Sequence, residues 1–177
     1  MENKNNARVR LRRLVVSAMF VAVGVLLSGP LSLYFGTFKT GIETLPKILA
    51  GVLFGPLWGG LVGAVIDFLQ AVLFPRGGYQ PLFTVVAFFF GFIPGLFFRK
   101  GQTVTFLRLL LAIACGQIFA SVLLNTTVLV ILGYAKSGWW VTAGPRIINQ
   151  AIMIPVYTVI THYIVLLIKK RNLLKLN

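Results

Sequence analysis

The fold is decided by the stretch from Leu45 to Pro81, which reads LPKILAGVLFGPLWGGLVGAVIDFLQAVLFPRGGYQP. Two apolar runs follow one another in it, Leu45–Phe54 and Leu57–Phe74, with Gly55-Pro56 between them. Proline cannot continue the hydrogen-bond ladder of a preceding helix, so this dipeptide separates two helices. The pattern predicts a tight hairpin of two apolar helices that does not emerge far from a membrane.

Apolar runs continue on both sides of this hairpin. The chain has 177 residues, of which 58% are hydrophobic and 11% charged, whereas soluble domains carry about 25% charged residues. Runs of about 18 residues can cross a hydrocarbon core about 30 Å thick. The sequence therefore predicts an all-α, multi-pass protein of the cell membrane, with residues 1–177 forming one compact bundle of six transmembrane helices. The four outer helices are expected at Leu14–Leu31, Leu82–Phe98, Phe106–Tyr134 and Gly144–Ile168.

The net charge of +14 is distributed at the ends of the apolar runs. Basic residues crowd the N-terminal segment 1–13, the connection around Arg99 and Lys100, and the C-terminal segment 169–177. Positive charge accumulates on the cytoplasmic side of membrane proteins. The distribution thus indicates two cytoplasmic termini and a lipid bilayer as partner, and it argues against nucleic acid. The basic residues expected on the outer half are Lys39, Lys47, Arg76, Lys136 and Arg146.

Residues for catalysis are scarce in this chain. No phosphate-binding G-x-x-x-x-G-K-[ST] motif is present, and His162 has no second histidine at the spacing of metal ligands. The acidic residues are Glu2, Glu43 and Asp67, which leaves no close carboxylate pair for acid–base chemistry. The sequence predicts neither an enzyme nor a metal site. Cys115 has no partner for a disulfide.

Polar side chains inside the apolar segments need hydrogen-bond partners or a function, because burying them in lipid is costly. Asp67 can serve as a proton relay or can bond to groups on neighbouring helices. Asn125, Asn149 and Gln150 can either join helices to one another or contact a ligand.

The expected outer side combines cations, aromatic rings and amides. A flat aromatic ligand with carboxylates would find stacking surfaces and charge partners there. The residues are Lys39, Glu43, Lys47, Arg76, Tyr79, Phe83, Trp139, Trp140, Arg146, Asn149 and Gln150.

Small residues recur at a spacing of four, which places them on one helix face and allows close helix packing. They are Ala18 and Ala22, Gly51 and Gly55, Gly59 and Gly63, Gly91 and Gly95, and Ala112, Gly116 and Ala120. Packing inside the bundle is the expected role of all of them except the first pair.

Nearly the whole chain resembles the S components, the substrate-binding subunits, of energy-coupling-factor (ECF) vitamin transporters, and most closely the folate group. The resemblance is carried by the Leu45–Pro81 stretch, by LLNTTVLVILGY at Leu123–Tyr134 and by PRIINQAIMIPVYT at Pro145–Thr158. It implies a subunit that captures folate from outside and binds no cofactor itself. Transport then requires a membrane coupling subunit and two cytoplasmic ATPases that use ATP. It also implies that Ala18 and Ala22 dock on the coupling subunit through an A-x-x-x-A motif.

For a folate ligand, the chemistry of the outer-side residues predicts their roles, and the regions of Arg76, Asn125, Arg146 and Asn149 lie within the matching motifs. Lys39, Arg76 and Arg146 are expected to meet the glutamate carboxylates. Tyr79, Phe83 and Trp139 would enclose the ring system, and Asn125, Asn149 and Gln150 would bond to its polar edge. Departures from the folate pattern around this pocket, such as Glu43, keep other vitamins open, namely pantothenate, a pyridoxine-like vitamin or a thiamin precursor. A stand-alone proton-coupled carrier that uses Asp67 is a further alternative.

Overall fold

The computed structural model describes residues 2–29, 33–35, 38–40, 42–75, 78–98, 104–135 and 138–170. Of residues 2–6, 8, 33–35, 38–40 and 169 it describes the backbone alone. Within these ranges lie six helices: α1 Glu2–Ser28, α2 Thr44–Phe54, α3 Pro56–Leu73, α4 Pro81–Leu96, α5 Phe106–Ile131 and α6 Trp139–Lys170. The predicted number of helices, six, is confirmed for these ranges.

Successive helices run antiparallel to one another. Gly63 of α3 lies against Ala87 of α4, and Gly60 lies against Phe88. Likewise Ser121 of α5 contacts Gln150 of α6. As a result, the C-terminal ends of α1, α3 and α5 and the N-terminal ends of α2, α4 and α6 share one end of the bundle, which we call the cavity end.

The short helix α2 forms the centre of the bundle. Nine of its 11 residues are buried, from Thr44 to Val52. Its residues Ile48 and Leu49 belong to one buried cluster with Leu109 and Ile113 of α5, while Ala50 belongs to another with Ile66 of α3. A helix that is covered on all sides needs no polar face, which agrees with the apolar character of α2 apart from Thr44 and Lys47 at its start.

Glycines bring α2, α3 and α4 into backbone contact. A Cβ atom at Gly51 or at Gly59 would overlap the carbonyl oxygen of Gly91, and a Cβ at Gly63 would overlap that of Ala87. Close approach of this kind lets van der Waals contacts hold helices together where lipid provides no hydrophobic driving force. The predicted internal role of these small residues is therefore confirmed. Gly55 instead forms the α2–α3 turn, with φ of 96°.

The outer faces of the bundle are apolar. On α3 the exposed side chains Leu57, Leu61, Val65, Phe68 and Val72 follow one another at the helical spacing of three or four. Such a continuous apolar surface is unfavourable in water and suited to lipid. Four helical segments are long and apolar enough to cross a membrane, namely Val9–Ser28, Pro56–Leu73, Phe106–Ile131 and Trp139–Ile168. The shorter apolar helices α2 and α4 have 11 and 16 residues.

Several boundaries differ from those predicted. Helix α1 begins at Glu2 rather than Leu14, because the arginines and alanine before Leu14 are good helix formers and nothing interrupts them. Helix α6 begins at Trp139 rather than Gly144, so that Trp139 and Trp140 lie in its first turn and not in a loop. The segment between α1 and α2, for which the sequence predicted no helix, contains a two-stranded antiparallel hairpin. Its strands are β1 Leu33–Phe35 and β2 Phe38–Thr40.

Helix α5 is continuous but changes its winding. Residues Phe106–Gln117 and Thr126–Ile131 are α-helical, and Ile118–Asn125 between them form a π-helix. A π-helix bonds residue i to i+5, is rare, and is found mostly at functional sites. It changes which side chains face each neighbour, and the predicted uninterrupted helix did not anticipate this.

Candidate functional site

A cavity of about 440 Å³ opens at the cavity end of the bundle, and volumes of this size are typical of small-molecule sites. It is formed by the start of α2, the last turns of α3, the segment 78–80, the first turns of α4 and the end of α5. The lining residues are Glu43, Lys47, Asp67, Gln70, Ala71, Phe74, Gly78, Tyr79, Gln80, Phe83, Val86, Ala87, Phe90, Asn125, Leu129 and Tyr134.

Aromatic rings form much of the cavity wall. Phe74, Phe83 and Phe90 line it together with Tyr79 and Tyr134. The ring of Tyr79 packs edge-on against that of Phe68, with 5.6 Å between their centroids. Walls of this kind favour a flat, conjugated ligand that can stack between them.

The buried cation of the cavity is Lys47. Its side chain is only 4% exposed, and its ammonium lies 5.7 Å from the centroid of the Phe90 ring. A cation over an aromatic face gains electrostatic stabilisation. A lysine inside an apolar helix is costly and is a functional-site candidate by default, which agrees with the place of Lys47 among the outer-side residues that the sequence offers to a ligand.

Asp67 belongs to a chain of hydrogen bonds at the cavity wall. The hydroxyl of Thr84 on α4 donates to Asp67 Oδ2 at 2.8 Å, and Tyr79 Oη lies 3.0 Å from Thr84 Oγ1. A threonine hydroxyl has one proton, so Tyr79 donates to Thr84 when Thr84 donates to Asp67. The expected bond from Asp67 to a neighbouring helix is thus confirmed.

Three predicted site residues, Tyr79, Phe83 and Asn125, lie together in the cavity lining. Asn125 is the last residue of the π-helical segment of α5. Lys47 was named among the outer-side residues and Asp67 as a polar residue that needs a partner, but neither was assigned a ligand contact. Sequence reasoning did not select Gln70, Phe74 and Phe90. Gln70 follows Asp67 by three residues on one face of α3, a spacing that could have indicated a shared surface.

The predicted site residues of α6 are not among the lining residues that the described part of the chain contributes. Trp139 donates from Nε1 to Thr127 Oγ1 of α5 at 3.3 Å. Gln150 donates from Nε2 to Ser121 Oγ at 2.8 Å. Arg146 and Asn149 are half-buried on the same helix. These bonds join α5 to α6 and hold the π-helical segment, and with it Asn125, beside the cavity.

The structure describes less of Lys39 and Arg76, two of the residues predicted to bind the carboxylates of the ligand. Lys39 lies in strand β2, where its backbone pairs with Tyr34, and its side chain is outside the description. Arg76 lies outside the described residues. Among the described residues no group of three or more histidine, cysteine, aspartate or glutamate side chains could hold a metal ion.

The predicted docking residues Ala18 and Ala22 are both exposed on α1. Around them Leu14, Val15 and Met19 are also exposed. The opposite face of α1 packs on α3, where a Cβ at Gly24 would overlap the side chain of Ile66. Ala18 and Ala22 therefore lie on the outer surface of the bundle.

Replacing Gln150 or Ser121 by alanine is expected to lower thermal stability, because each change leaves the other side chain without its bond. The double variant should lose little more than either single variant, with a coupling of roughly 0.5–1.5 kcal/mol. Thermal unfolding of the detergent-solubilised single and double variants measures these losses and the coupling energy. Thr142→Val is the control, since the Thr142 hydroxyl donates to the carbonyl oxygen of Gly138, the residue just before α6, and not to another helix. Strictly additive losses would contradict a direct Gln150–Ser121 bond.

Taken together, the lipid-facing helices and the cavity define a membrane-embedded ligand-binding protein. A sequence model of the family described as "ECF transporter, substrate-specific component" matches residues 12–165. The chain belongs to this family of transporter subunits, whose members bind a substrate and are not classed as enzymes.

The relatives include named folate transporters. The chain is 32% identical to "Folate transporter FolT" of Clostridium novyi over 150 residues, which cover 84% of this chain and 85% of the relative. It is 25% identical to "Folate transporter FolT" of Leuconostoc mesenteroides over 158 residues, which cover 86% and 84%.

A solved structure is similar as well. The crystal structure of FolT bound with folic acid superposes on this fold with a TM-score of 0.73 and 31% sequence identity. The alignment covers 85% of this chain and 90% of the FolT chain.

Proposed function

We propose that this protein is the S component for folate, which captures the vitamin outside the cell and delivers it through an ECF transporter. The similarity over most of the chain to FolT bound with folic acid is the observation that carries the proposal. The cavity supports it independently, since its aromatic walls and its amide and charged groups suit a fused heterocycle with polar edges.

Both termini face the cytoplasm in this proposal. The basic N-terminal residues precede the first span, and Lys170 ends α6 at the same end of the bundle. By the positive-inside rule, the positive charge at this end supports cytoplasmic termini and a cavity end on the outer side. The cavity then opens toward the medium from which folate is taken up.

Six spans are proposed even though α2 and α4 are short. Helix α4 with 16 residues has a length of about 24 Å at 1.5 Å per residue, close to the hydrocarbon thickness. The shorter α2 is enclosed by α1, α3, α4 and α6 and need not match the bilayer by itself.

Energy for transport comes from partners in this proposal. The sequence has no phosphate-binding loop motif, and the family description is that of a substrate-specific component. A membrane coupling subunit would dock on α1 at Ala18 and Ala22, and two cytoplasmic ATPases would hydrolyse ATP. In this mechanism the loaded bundle topples in the membrane and exposes the cavity to the cytoplasm.

Folate is expected to copurify with the detergent-solubilised protein and to rebind after removal. Mass spectrometry of the released small molecule identifies it, and isothermal titration with folic acid measures its affinity. Pantothenate, pyridoxine and a thiamin precursor are the control ligands and should not compete. Competition by one of them, with no measurable folate binding, would assign the protein to another vitamin.

A further inference from the structure

We propose that α6 controls ligand affinity from outside the cavity, through Gln150 and Trp139, which anchor the π-helical segment of α5 on either side of Asn125. The sequence predicted Gln150 and Trp139 as ligand contacts, whereas in the structure both side chains bond to α5. This inference rests on the proposed function, because it concerns how folate is held. Gln150 and Trp139 are then positioning residues that act on the ligand through Asn125.

The direction of the Asn125 side chain depends on the winding of α5. Asn125 ends the π-helical segment Ile118–Asn125 and lines the cavity together with Leu129. A π-helix bonds residue i to residue i+5 and therefore holds one residue more in each turn than an α-helix does. A change of the winding by one residue would rotate Asn125 by about 100° relative to the buried Leu109 and Ile113 of the same helix. Such a rotation would move its amide away from the cavity.

The first anchor is the hydrogen bond from Gln150 Nε2 to Ser121 Oγ, which measures 2.8 Å. Ser121 is the fourth residue of the π-helical segment, and its side chain is 5% exposed. The oxygen of the Gln150 amide is buried and has no hydrogen-bond partner among the described residues, so Ser121 is the described group that orients this amide. The bond ties Ser121 to α6 and opposes rotation of the segment.

The second anchor lies just beyond Asn125. Trp139 donates from Nε1 to Thr127 Oγ1 at 3.3 Å, and Thr127 Oγ1 donates to the backbone oxygen of Leu123 at 2.7 Å. The same oxygen accepts from the backbone N–H of Thr126, a bond between residues i and i+3 rather than i and i+5. The end of the π-helical segment is thus fixed at Leu123 by a hydroxyl that α6 holds in place.

The contacts of the segment with α4 are apolar and do not fix its winding in the same way. On this side Ala120 and Leu124 belong to a hydrophobic cluster with Val86 of α4. Hydrophobic contacts have no preferred direction, whereas a hydrogen bond weakens steeply when its angle changes. The two anchors on α6 therefore specify the rotation of the segment, and with it the place of Asn125 in the cavity.

The test is a titration of detergent-solubilised variants with folic acid, at a temperature at which each variant is folded. Ser121→Ala and Thr127→Val each remove one anchor, although neither residue is among those that line the cavity in the described chain. We expect each to weaken the binding of folic acid by about 3- to 10-fold. Thr127→Ser keeps the hydroxyl and should restore the wild-type affinity. Thr158→Val is the matched control, because the buried Thr158 hydroxyl donates to the backbone oxygen of Ile154 within α6.

A second titration separates positioning from a general loss of structure. Asn125→Ala removes the amide through which the anchors act, and it should weaken the binding of folic acid by about 10-fold. Adding Ser121→Ala or Thr127→Val to Asn125→Ala should then cost little further affinity, because the three changes remove one effect. Hydrogen–deuterium exchange of residues 118–127 should be faster in both anchor variants than in the wild type, since the segment then samples more than one winding.

Four results would each overturn the inference: wild-type affinity in both anchor variants, wild-type affinity in Asn125→Ala, unchanged exchange of residues 118–127, or losses that add fully to that of Asn125→Ala. Fully additive losses would show that the anchors support the fold in general rather than Asn125. Wild-type protein that binds no folic acid would instead refute the proposed function, so the two failures are distinguished. If Ser121→Ala protein does not fold, the valine and serine variants of the exposed Thr127 decide between the same outcomes.

Discussion

Replacing Gly91 by alanine is expected to prevent the protein from reaching a stable folded state. The new Cβ would overlap the carbonyl oxygen of Gly59 and come within 3.0 Å of the carbonyl oxygen of Lys47. Both obstacles are backbone atoms of neighbouring helices, which cannot move aside as a side chain can. We expect a loss of about 3 kcal/mol or more, because overpacking against a rigid neighbour exceeds the usual cost of an extra methyl group.

The measurement is the yield of monodisperse protein in detergent and its thermal unfolding midpoint. Gly144→Ala is the matched control, because a Cβ at this glycine of α6 has no atom within 4 Å. Alanine has a better helix propensity than glycine by about 1 kcal/mol, so this variant should be as stable as the wild type or slightly more so. A Gly91→Ala variant with wild-type stability would contradict the close packing of α2, α3 and α4.

Replacing Ala22 by tryptophan is expected to abolish folate uptake while leaving folate binding intact. Ala22 is exposed on α1, so the larger side chain meets no part of the bundle itself. In the proposed complex it would separate α1 from the coupling subunit. A docking loss of only about 1.4 kcal/mol already lowers the association constant tenfold, and an indole inserted between two helices is expected to cost more than this.

The matched control for this variant is Ala151→Trp. Ala151 is an exposed alanine of α6, so tryptophan there changes the lipid-facing surface in the same way but outside the proposed docking face. Copurification of the coupling subunit and uptake of labelled folate in cells are the two measurements, and Ala18→Trp should behave as Ala22→Trp does. Normal complex assembly and uptake with both variants would show that α1 does not dock through these alanines.

The sequence predicted the helices well because lipid imposes a simple rule. Each segment that crosses a membrane must be apolar and must satisfy its own backbone, and proline and glycine mark where such segments end. The turn at Gly55-Pro56 was located in this way. The start of α6 at Trp139 was missed although Gly138 directly precedes it, because Gly144-Pro145 offered a second marker of the same kind further along the chain.

The candidate site was predicted only in part, because a residue's type does not state which way its side chain points. Tyr79, Phe83 and Asn125 line the cavity, whereas Trp139 and Gln150 bond to α5. The π-helical segment Ile118–Asn125 helps to determine which residues line the cavity and which bond between helices, since it changes the faces that α5 presents to α4 and α6. Nothing in its composition distinguishes it from an α-helix.

By itself, the sequence determined that this protein resides in a membrane, how many helices it forms and to which family it belongs, because these depend on hydrophobicity, on chain breaks and on continuous motifs. The tertiary structure alone decided that Lys47, Asp67 and Asn125 meet in one cavity. They come from three different helices, and their distance is set by the glycine contacts among α2, α3 and α4 and by the winding of α5. Such contacts arise from packing between distant segments, which no local pattern of residues specifies.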